Sequence, residues 1–165
     1  MSDAVHLGMP GLTEPGALPV EYLTISHDRV YRIAMVNAGL ACCSIEYVSA
    51  LEQWGETSAA TELTADQSAL SGSQTDLSVL VVSGTCTTKI APLVTSIYEA
   101  MPEGTKVVSF GACTASGGPY WDSYSVVKGI AELIPVDIFV PGCPPRPEAL
   151  LHGLSQLVDH SVVAP

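Results

Sequence analysis

Apolar segments alternate with helical patterns along most of this chain, and that alternation restricts the fold more than any other feature. The apolar segments are residues 31–36, 76–83, 106–110 and 136–140, and the helical patterns are residues 44–54, 89–101, 123–133 and 147–159. Short apolar strands separated by helices are typical of βαβ units, whose strands lie side by side in a parallel sheet. We therefore predict an α/β fold, a flavodoxin-like open parallel sheet with helices on both faces.

The length of 165 residues suits a single domain with its own core. Residues 1–28 contain several prolines and glycines, so we predict an N-terminal arm that lies outside the core. Residues 29–165 are predicted to form one α/β domain. Within it, residues 55–75 are rich in Ser, Thr, Ala, Gln and Gly and are predicted to be a loop or irregular segment.

The net charge of the chain restricts the kinds of partner that it can bind. The net charge is −11 with only six Lys and Arg, which disfavours nucleic-acid binding and direct docking on anionic lipid. Apolar residues make up 47% of the chain, so part of its surface is expected to pack against partner proteins. No apolar run is long enough to span a membrane, and no signal pattern opens the chain. We therefore predict that the protein lies in the cytosol, where thiols stay reduced.

Cysteines follow the predicted strands. The adjacent pair Cys42 and Cys43, then Cys113, then Cys143 come after three different strands. Because the loops after parallel strands open on one edge of the sheet, these thiols are expected to meet there. Four thiolates match the needs of a 4Fe–4S cluster, so residues 29–165 are predicted to be an iron–sulfur domain. Cys86 also follows a strand, and the count alone leaves open which four bind.

Other interpretations of the cysteine pair stay open at this point. A disulfide between the neighbours Cys42 and Cys43 departs from ordinary disulfide geometry. Both thiols can also serve as small buried apolar side chains. A zinc site is a third option, although the usual pair of Cys-x-x-Cys units is missing.

The segment around Cys143 carries further signals. Pro147 is suited to the start of the last helix, whose N-terminus favours negative charge, and Arg146 adds a positive charge nearby. Both features would stabilise a cluster held by thiolates. The alternative is a proline-rich helix cap whose Arg146 faces water.

Glycines surround Cys113 in the sequence. Gly111, Gly117 and Gly118 allow backbone to approach a bound group closely, yet they match neither the phosphate loop nor the dinucleotide pattern. Glu46, three residues after the cysteine pair, is either an ordinary helix carboxylate or a group that takes up a proton coupled to electron transfer. No acid–base triad and no nucleophile are assigned, so no residue is predicted to be catalytic.

Five longer segments match one family in order and spacing. They are Gly39–Glu46, Gly84–Pro92, Tyr98–Pro102, Gly111–Gly118 and Ile134–Ala149. Together they resemble the B subunit of respiratory complex I, the 20 kDa subunit of NADH:quinone oxidoreductase, from about residue 30 to 158. The resemblance implies one 4Fe–4S cluster that passes electrons to quinone, with Cys42, Cys43, Cys113 and Cys143 as ligands. It also implies that Cys86, where the family usually has valine, is not a ligand.

The same resemblance implies the setting of the chain. Quinone would bind at the interface with a 49 kDa-type large subunit, in a crevice lined here by Ser44, Ile45, Tyr47 and Val48. A ferredoxin-like iron–sulfur subunit would supply electrons, and membrane-arm subunits would complete the complex. The chain would then lie on the cytoplasmic side of the cell membrane as a peripheral subunit without a transmembrane segment.

One departure from the family pattern lies before the second predicted strand. Ser73 stands where the family usually has arginine, and losing that charge is expected to lower the cluster potential. Two alternatives therefore remain: an electron-relay subunit of a hydrogenase-like or other related complex, and a structural paralogue without a working cluster. Hydrogenase small subunits carry Cys-x-x-Cys at the cysteine pair, which favours the complex I branch. A standalone nucleotide-binding domain is the least supported.

Overall fold

A computed structural model of the chain describes residues 19–26, 30–62 and 77–163. The strands are β1 (Pro19–Ser26), β2 (Val30–Gly39), β3 (Gly55–Glu62), β4 (Leu77–Ser83), β5 (Lys106–Phe110) and β6 (Ile138–Val140). The helices are α1 (Cys43–Trp54), α2 (Ala91–Ala100), α3 (Ala112–Ser116) and α4 (Pro147–Val163). Ser73 and residues 1–18 of the predicted arm lie outside the described residues.

The six strands form one sheet in the order β3-β1-β2-β4-β5-β6. Strands β2, β4, β5 and β6 are parallel, while β1 is antiparallel to both β2 and β3. It follows that β3 runs in the same direction as β2, and that β1 alone runs the opposite way. The chain continues from β2 toward β3 on one side and then returns to β4 on the other. The carboxyl ends of β2 and β4 therefore form a topological switch point, the usual ligand site of open α/β sheets.

The sheet separates two apolar cores. Along β4, Val79 and Val81 belong to a core that also holds residues of α1 and α4, which we call the α1–α4 core. Leu80 and Val82 belong to a second core beside α2, which we call the α2 core. Because β4 is buried on both faces, its sequence is a continuous apolar run without alternation. The predicted α/β fold with helices on both faces is confirmed.

The helix predicted at residues 123–133 is wrong. In the structure this segment consists of turns and one short 3₁₀ helix at Ile130–Glu132. Its backbone is used elsewhere: Thr88 N–H donates to Ser125 O and Val127 N–H to Cys86 O, both near 3 Å. Gly129 adopts a φ of +117°, where an added Cβ would lie 2.5 Å from a carbonyl oxygen. Tertiary hydrogen bonds therefore override the local helical pattern.

Two strands of the structure were not predicted from the sequence. Residues 19–26, predicted to belong to an arm outside the core, form β1, and Leu23 is buried in the α1–α4 core. Residues 55–62, predicted to be a loop, form the edge strand β3. The sequence of β3 has almost no large apolar side chain, so its pattern gave no signal for the backbone pairing with β1. The domain boundary at residue 29 stays a prediction.

Length and apolar character also decide whether a helix can cross a bilayer. In the part of the chain that the structure describes, no helix is both long enough and apolar enough to do so.

Candidate iron–sulfur site

Four cysteines lie at the carboxyl-end edge of the sheet. Cys42 occupies the turn after β2 and is exposed, and Cys43 is the first residue of α1 and only 2% exposed. Cys113 is buried in the short helix α3 directly after β5. Cys143 is exposed in the loop after β6. The parallel sheet thus brings residues from distant parts of the sequence to one edge.

Cys43 lies within electrostatic range of the other three thiols. Burial raises the pKa of the Cys43 thiol from its ordinary 9.0 to about 12, together with the proximity of Cys42, a hydrogen bond with Cys42, and the proximity of Cys113 and Cys143. Each contribution disfavours a negative charge on this sulfur as long as no cation is near. A cationic iron centre would reverse that balance, because metal binding stabilises the thiolate form.

Cys86 lies apart from this group. It is 1% exposed in the α2 core, on the other face of the sheet from Cys43. Burial alone raises the pKa of its thiol. Its sulfur lies 3.8 Å from the carbonyl oxygen of Thr87 in the same loop. The geometry therefore separates the fifth cysteine from the four that were predicted to be ligands.

Hydrogen bonds tie together the loops that carry the cysteines. The bonds run from Leu40 N–H to Ser83 O (2.7 Å), from Thr114 Oγ1 to Gly84 O (2.7 Å), from Gly111 N–H to Val140 O (2.9 Å) and from Ala112 N–H to Gly142 O (2.7 Å). Together they connect the segments after β2, β4, β5 and β6. Thr114, whose fully buried hydroxyl makes one of these bonds, was missed by sequence reasoning, although it directly follows Cys113. The edge is thus one connected framework.

Two glycines let backbone lie against thiol sulfur. At Gly111, with φ +106°, an added Cβ would lie 2.5 Å from Cys43 Sγ. At Gly118, with φ +54°, it would lie 2.8 Å from Cys113 Sγ. Side chains at these positions would collide with the sulfur atoms, so only glycine fits. Such close packing of backbone around thiols suits an iron–sulfur cluster, whose properties depend on hydrogen bonds and solvent exclusion at sulfur.

Single-ion sites bring three or more His, Cys, Asp or Glu side chains together around one point. Among the residues that the structure describes, no group of three or more His, Cys, Asp or Glu side chains has the arrangement of a single-metal site. In a 4Fe–4S cluster each thiolate binds a different iron atom, so the sulfur atoms surround the cluster without converging on one point.

The four predicted crevice residues have different environments. Ile45 is 69% exposed and Val48 is 47% exposed on α1. The Ser44 hydroxyl donates to Ala41 O at 3.1 Å, in the turn before α1. Tyr47 is fully buried in the α1–α4 core, so its ring packs the interior of this chain and offers no exposed surface to a crevice.

The two predicted charged residues lie at helix starts. Glu46 is in the first turn of α1 and is half-buried. Arg146 is exposed and directly precedes α4, and its carbonyl accepts the N–H of Ala149 at 3.0 Å. Arg146 is thus next to the N-terminus of a 17-residue helix and three residues from Cys143. Arg146 and the N-terminus of α4 contribute positive charge here, and Glu148 in the first turn of α4 contributes negative charge.

Exposed aromatic side chains follow α3. Tyr120, Trp121 and Tyr124 are 56%, 60% and 99% exposed. Tyrosine and tryptophan are enriched at protein interfaces, so this exposed aromatic surface is suited to contact with a protein partner.

Comparison with known proteins identifies related sequences. The profile of the family described as NADH ubiquinone oxidoreductase, 20 Kd subunit, matches residues 41–157. The chain is 48% identical over 141 residues to a B-type subunit of the NADH-quinone oxidoreductase of Salinispora tropica, covering 86% of this chain and 72% of the relative. It is 49% identical over 137 residues to a B-type subunit of the same enzyme of Streptomyces griseus, covering 83% of this chain and 56% of the relative. The chain thus spans little more than half the length of the second relative.

A solved structure also resembles the fold. It is a chain of the membrane-bound sulfane sulfur reductase, described as an archaeal respiratory membrane complex, with a TM-score of 0.55 and 27% sequence identity. The match covers 76% of this chain and 68% of that one. Because the family profile covers well over half of the chain and close relatives cover most of it, this protein belongs to the family of the 20 kDa subunit of NADH:ubiquinone oxidoreductase.

Proposed function

We propose that this chain is the electron-transfer subunit of a complex I-type NADH:quinone oxidoreductase and holds one 4Fe–4S cluster. Cys42, Cys43, Cys113 and Cys143 are the proposed ligands. The observation that carries the proposal is the environment of Cys43, a buried thiol within electrostatic range of the other three. Membership of the family supports the type of complex.

Different residues of the chain have different proposed roles in holding the 4Fe–4S cluster. When bound, the cluster supplies one-electron transfer, which no side chain of the site offers. The buried Cys43 and Cys113 and the exposed Cys42 and Cys143 would hold it. Gly111 and Gly118 allow backbone to exclude water from the buried sulfurs. Arg146 and the N-terminus of α4 favour the negative charge of the thiolate ligands.

The acceptor side is proposed to lie along α1. Ile45 and Val48 present apolar surface within two turns of the cysteine pair, and Ser44 lies beside them. Apolar side chains exposed next to a redox site support an interface with a 49 kDa-type large subunit, where quinone would be reduced. Glu46 in the same turn is the proposed group for proton uptake. Tyr47 is left out of this surface because it is buried.

The proposed assembly is a peripheral arm on a membrane. A ferredoxin-like iron–sulfur subunit is the proposed donor, and membrane-arm subunits are proposed to anchor the complex on the cytoplasmic side of the cell membrane. Support comes from the names of the relatives, which are subunits of NADH-quinone oxidoreductases, and from the similar chain in a respiratory membrane complex.

The test is EPR spectroscopy and iron analysis of the anaerobically purified protein, co-expressed with its large-subunit neighbour. We expect about four irons per chain and a fast-relaxing S = 1/2 signal on reduction with dithionite. Cys113→Ser and Cys143→Ser should abolish the signal, and Cys86→Ala should keep it. A well-folded complex without iron or signal would instead favour the structural paralogue, and loss of the signal in Cys86→Ala would refute the ligand assignment.

A second candidate is an electron relay to an acceptor other than quinone. The similar solved chain belongs to a sulfane sulfur reductase, and its 27% identity shows that the fold also serves such a complex. The purified complex distinguishes the two candidates by its acceptor. Electron transfer to quinone supports the first, and reduction of sulfane sulfur without quinone reduction supports the second.

A further inference from the structure

A partly buried hydrogen bond connects helix α1, which begins at Cys43, to strand β1. The hydroxyl of Tyr47 on α1 donates to Oε2 of Glu21 on β1 at 2.6 Å. Tyr47 is 0% exposed and is among the largest fully buried side chains in the chain. Neither Glu21 nor this contact follows from the cysteine motifs, because β1 lies in a segment that was predicted to be outside the core.

The bond is strong for its kind. A buried tyrosine hydroxyl needs an acceptor, and a carboxylate acceptor gives a shorter and stronger bond than a neutral one. Burial, with the nearby Glu21 carboxylate, raises the pKa of the Tyr47 hydroxyl well above its usual range, so it stays protonated and donates. Removing the Glu21 carboxylate leaves the fully buried Tyr47 hydroxyl without its bond, which costs more than the bond itself contributes. Removing the Tyr47 hydroxyl takes away a charge-assisted bond from the half-buried Glu21 carboxylate.

Tyr47 and Cys43 lie on the same face of α1. They are four residues apart, one helical turn, and both belong to the α1–α4 core. The backbone of Gly111 lies close to Cys43 Sγ, since an added Cβ at Gly111 would lie 2.5 Å from the sulfur. A displacement of the start of α1 would therefore change the distance between this sulfur and Gly111.

We infer that Glu21 and Tyr47 are positioning residues, whose hydrogen bond holds the start of α1 so that Cys43 Sγ stays at the cysteine edge of the sheet. Only the effect of this hydrogen bond on the cluster depends on the proposed function. The position of Cys43 itself is a property of the folded chain.

The first test is alkylation of the full chain by iodoacetamide after chelation of iron, with each cysteine followed by mass spectrometry. Cys43 and Cys86 serve as a matched pair, since both are almost fully buried but lie on opposite faces of the sheet. Tyr47→Phe keeps the ring and removes only the hydroxyl. Glu21→Ala removes the acceptor, and Glu21→Gln restores a neutral one. Glu52→Ala, at an exposed position of α1, is the control.

A positioning role of the Glu21–Tyr47 hydrogen bond predicts that its loss exposes Cys43 to labelling and leaves Cys86 unaffected. In Tyr47→Phe and Glu21→Ala, labelling of Cys43 should rise roughly 10- to 100-fold, the ratio expected when a hydrogen bond to a charged group is lost. Labelling of Cys86 should stay unchanged, Glu21→Gln should give a smaller rise, and Glu52→Ala none. An equal rise at both cysteines, or no rise at Cys43, would overturn the inference.

The second test uses the iron-loaded protein with its large-subunit neighbour. Tyr47→Phe should keep the iron and shift the midpoint potential and the EPR g values, whereas Glu52→Ala should leave both unchanged. Iron-loaded Tyr47→Phe with the potential and g values of the unaltered protein would overturn the inference. Absence of iron from the unaltered protein would refute the proposed function instead, and the alkylation result would still decide the role of the pair.

Discussion

Cys43 and Cys86 are buried to the same degree, at 2% and 1% exposed, and each follows a strand of the same sheet. They differ in what surrounds them. Cys43 faces the α1–α4 core and the other three cysteines of the sheet edge, while Cys86 is enclosed by apolar side chains of the α2 core. Burial alone therefore does not distinguish the proposed ligand Cys43 from the core cysteine Cys86. The neighbouring thiols, which surround Cys43 and not Cys86, provide the distinction.

The direct test of this comparison replaces each cysteine in turn. Cys43→Ser should abolish iron binding and the EPR signal, because a hydroxyl is a poor substitute for a thiolate ligand. Cys86→Ala should keep both and cost about 1 kcal/mol of stability, a usual value for a core substitution. Iron content, EPR and urea unfolding of the two variants measure these effects. Retention of a full signal in Cys43→Ser would mean that the difference between the two faces has no functional meaning.

Gly111, whose backbone lies beside Cys43 Sγ, provides a second test of the comparison between Cys43 and Cys86. Gly111→Ala combines a backbone conformation reserved for glycine with a Cβ 2.5 Å from Cys43 Sγ. Gly104→Ala is the matched control, since it has a φ of +84° but open space around the added Cβ. The control should cost roughly 1–2 kcal/mol, and Gly111→Ala a further roughly 1–3 kcal/mol from overpacking.

Iron loading separates these two glycine variants further. Gly111→Ala should lose iron and Gly104→Ala should retain it, as measured by iron analysis beside the unfolding curves. Equal losses of stability in both variants would show that Cys43 Sγ has room to move away from Gly111.

The stability of the iron-free chain at alkaline pH distinguishes the two thiols by their titration. The pKa of Cys43 is raised from 9.0 to about 12 in the folded chain, so above pH 9.0 the unfolded chain releases this proton first. The unfolded state then binds fewer protons than the folded state, and the free energy of unfolding falls as the pH rises from 9.0 toward 12. Cys86, whose pKa is raised by burial alone, acts in the same direction.

Serine at either position removes one titrating group. Urea unfolding across this alkaline range should show a flatter pH dependence for Cys43→Ser than for Cys86→Ser, because three neighbouring thiols add to burial at Cys43. The reverse order would contradict the proximity of the four cysteines.

The smallest expected effect concerns the charge near the cluster. Ser73→Arg restores the positive charge that the family usually has, and it should raise the midpoint potential because a cation favours the more negative reduced cluster. Ser96→Arg, on the exposed side of α2, is the control with the same added charge. Redox titration followed by EPR compares the two. An equal potential in both variants would mean that residue 73 lies away from the cluster.

Sequence patterns predicted the apolar central strands and the longer helices. Strand β5 and helix α1 have almost the predicted bounds, since a continuous apolar run or a helical period leaves a signal in the sequence. Strand β3 left none, because an edge strand is held by backbone hydrogen bonds that do not depend on side-chain type. The segment 123–133 misled prediction because its backbone bonds to the loop that contains Cys86.

Sequence by itself determined the α/β class, the cysteines available as ligands and the family, because strand and helix periods and motif spacing are local properties of the chain. Only the tertiary structure decided which cysteines share a face, since the side of the sheet depends on the register and crossing of each strand. It also decided that Tyr47 reaches Glu21. A buried hydroxyl bonds to whatever acceptor the packing brings near it, and no spacing in the sequence specifies a partner 26 residues away.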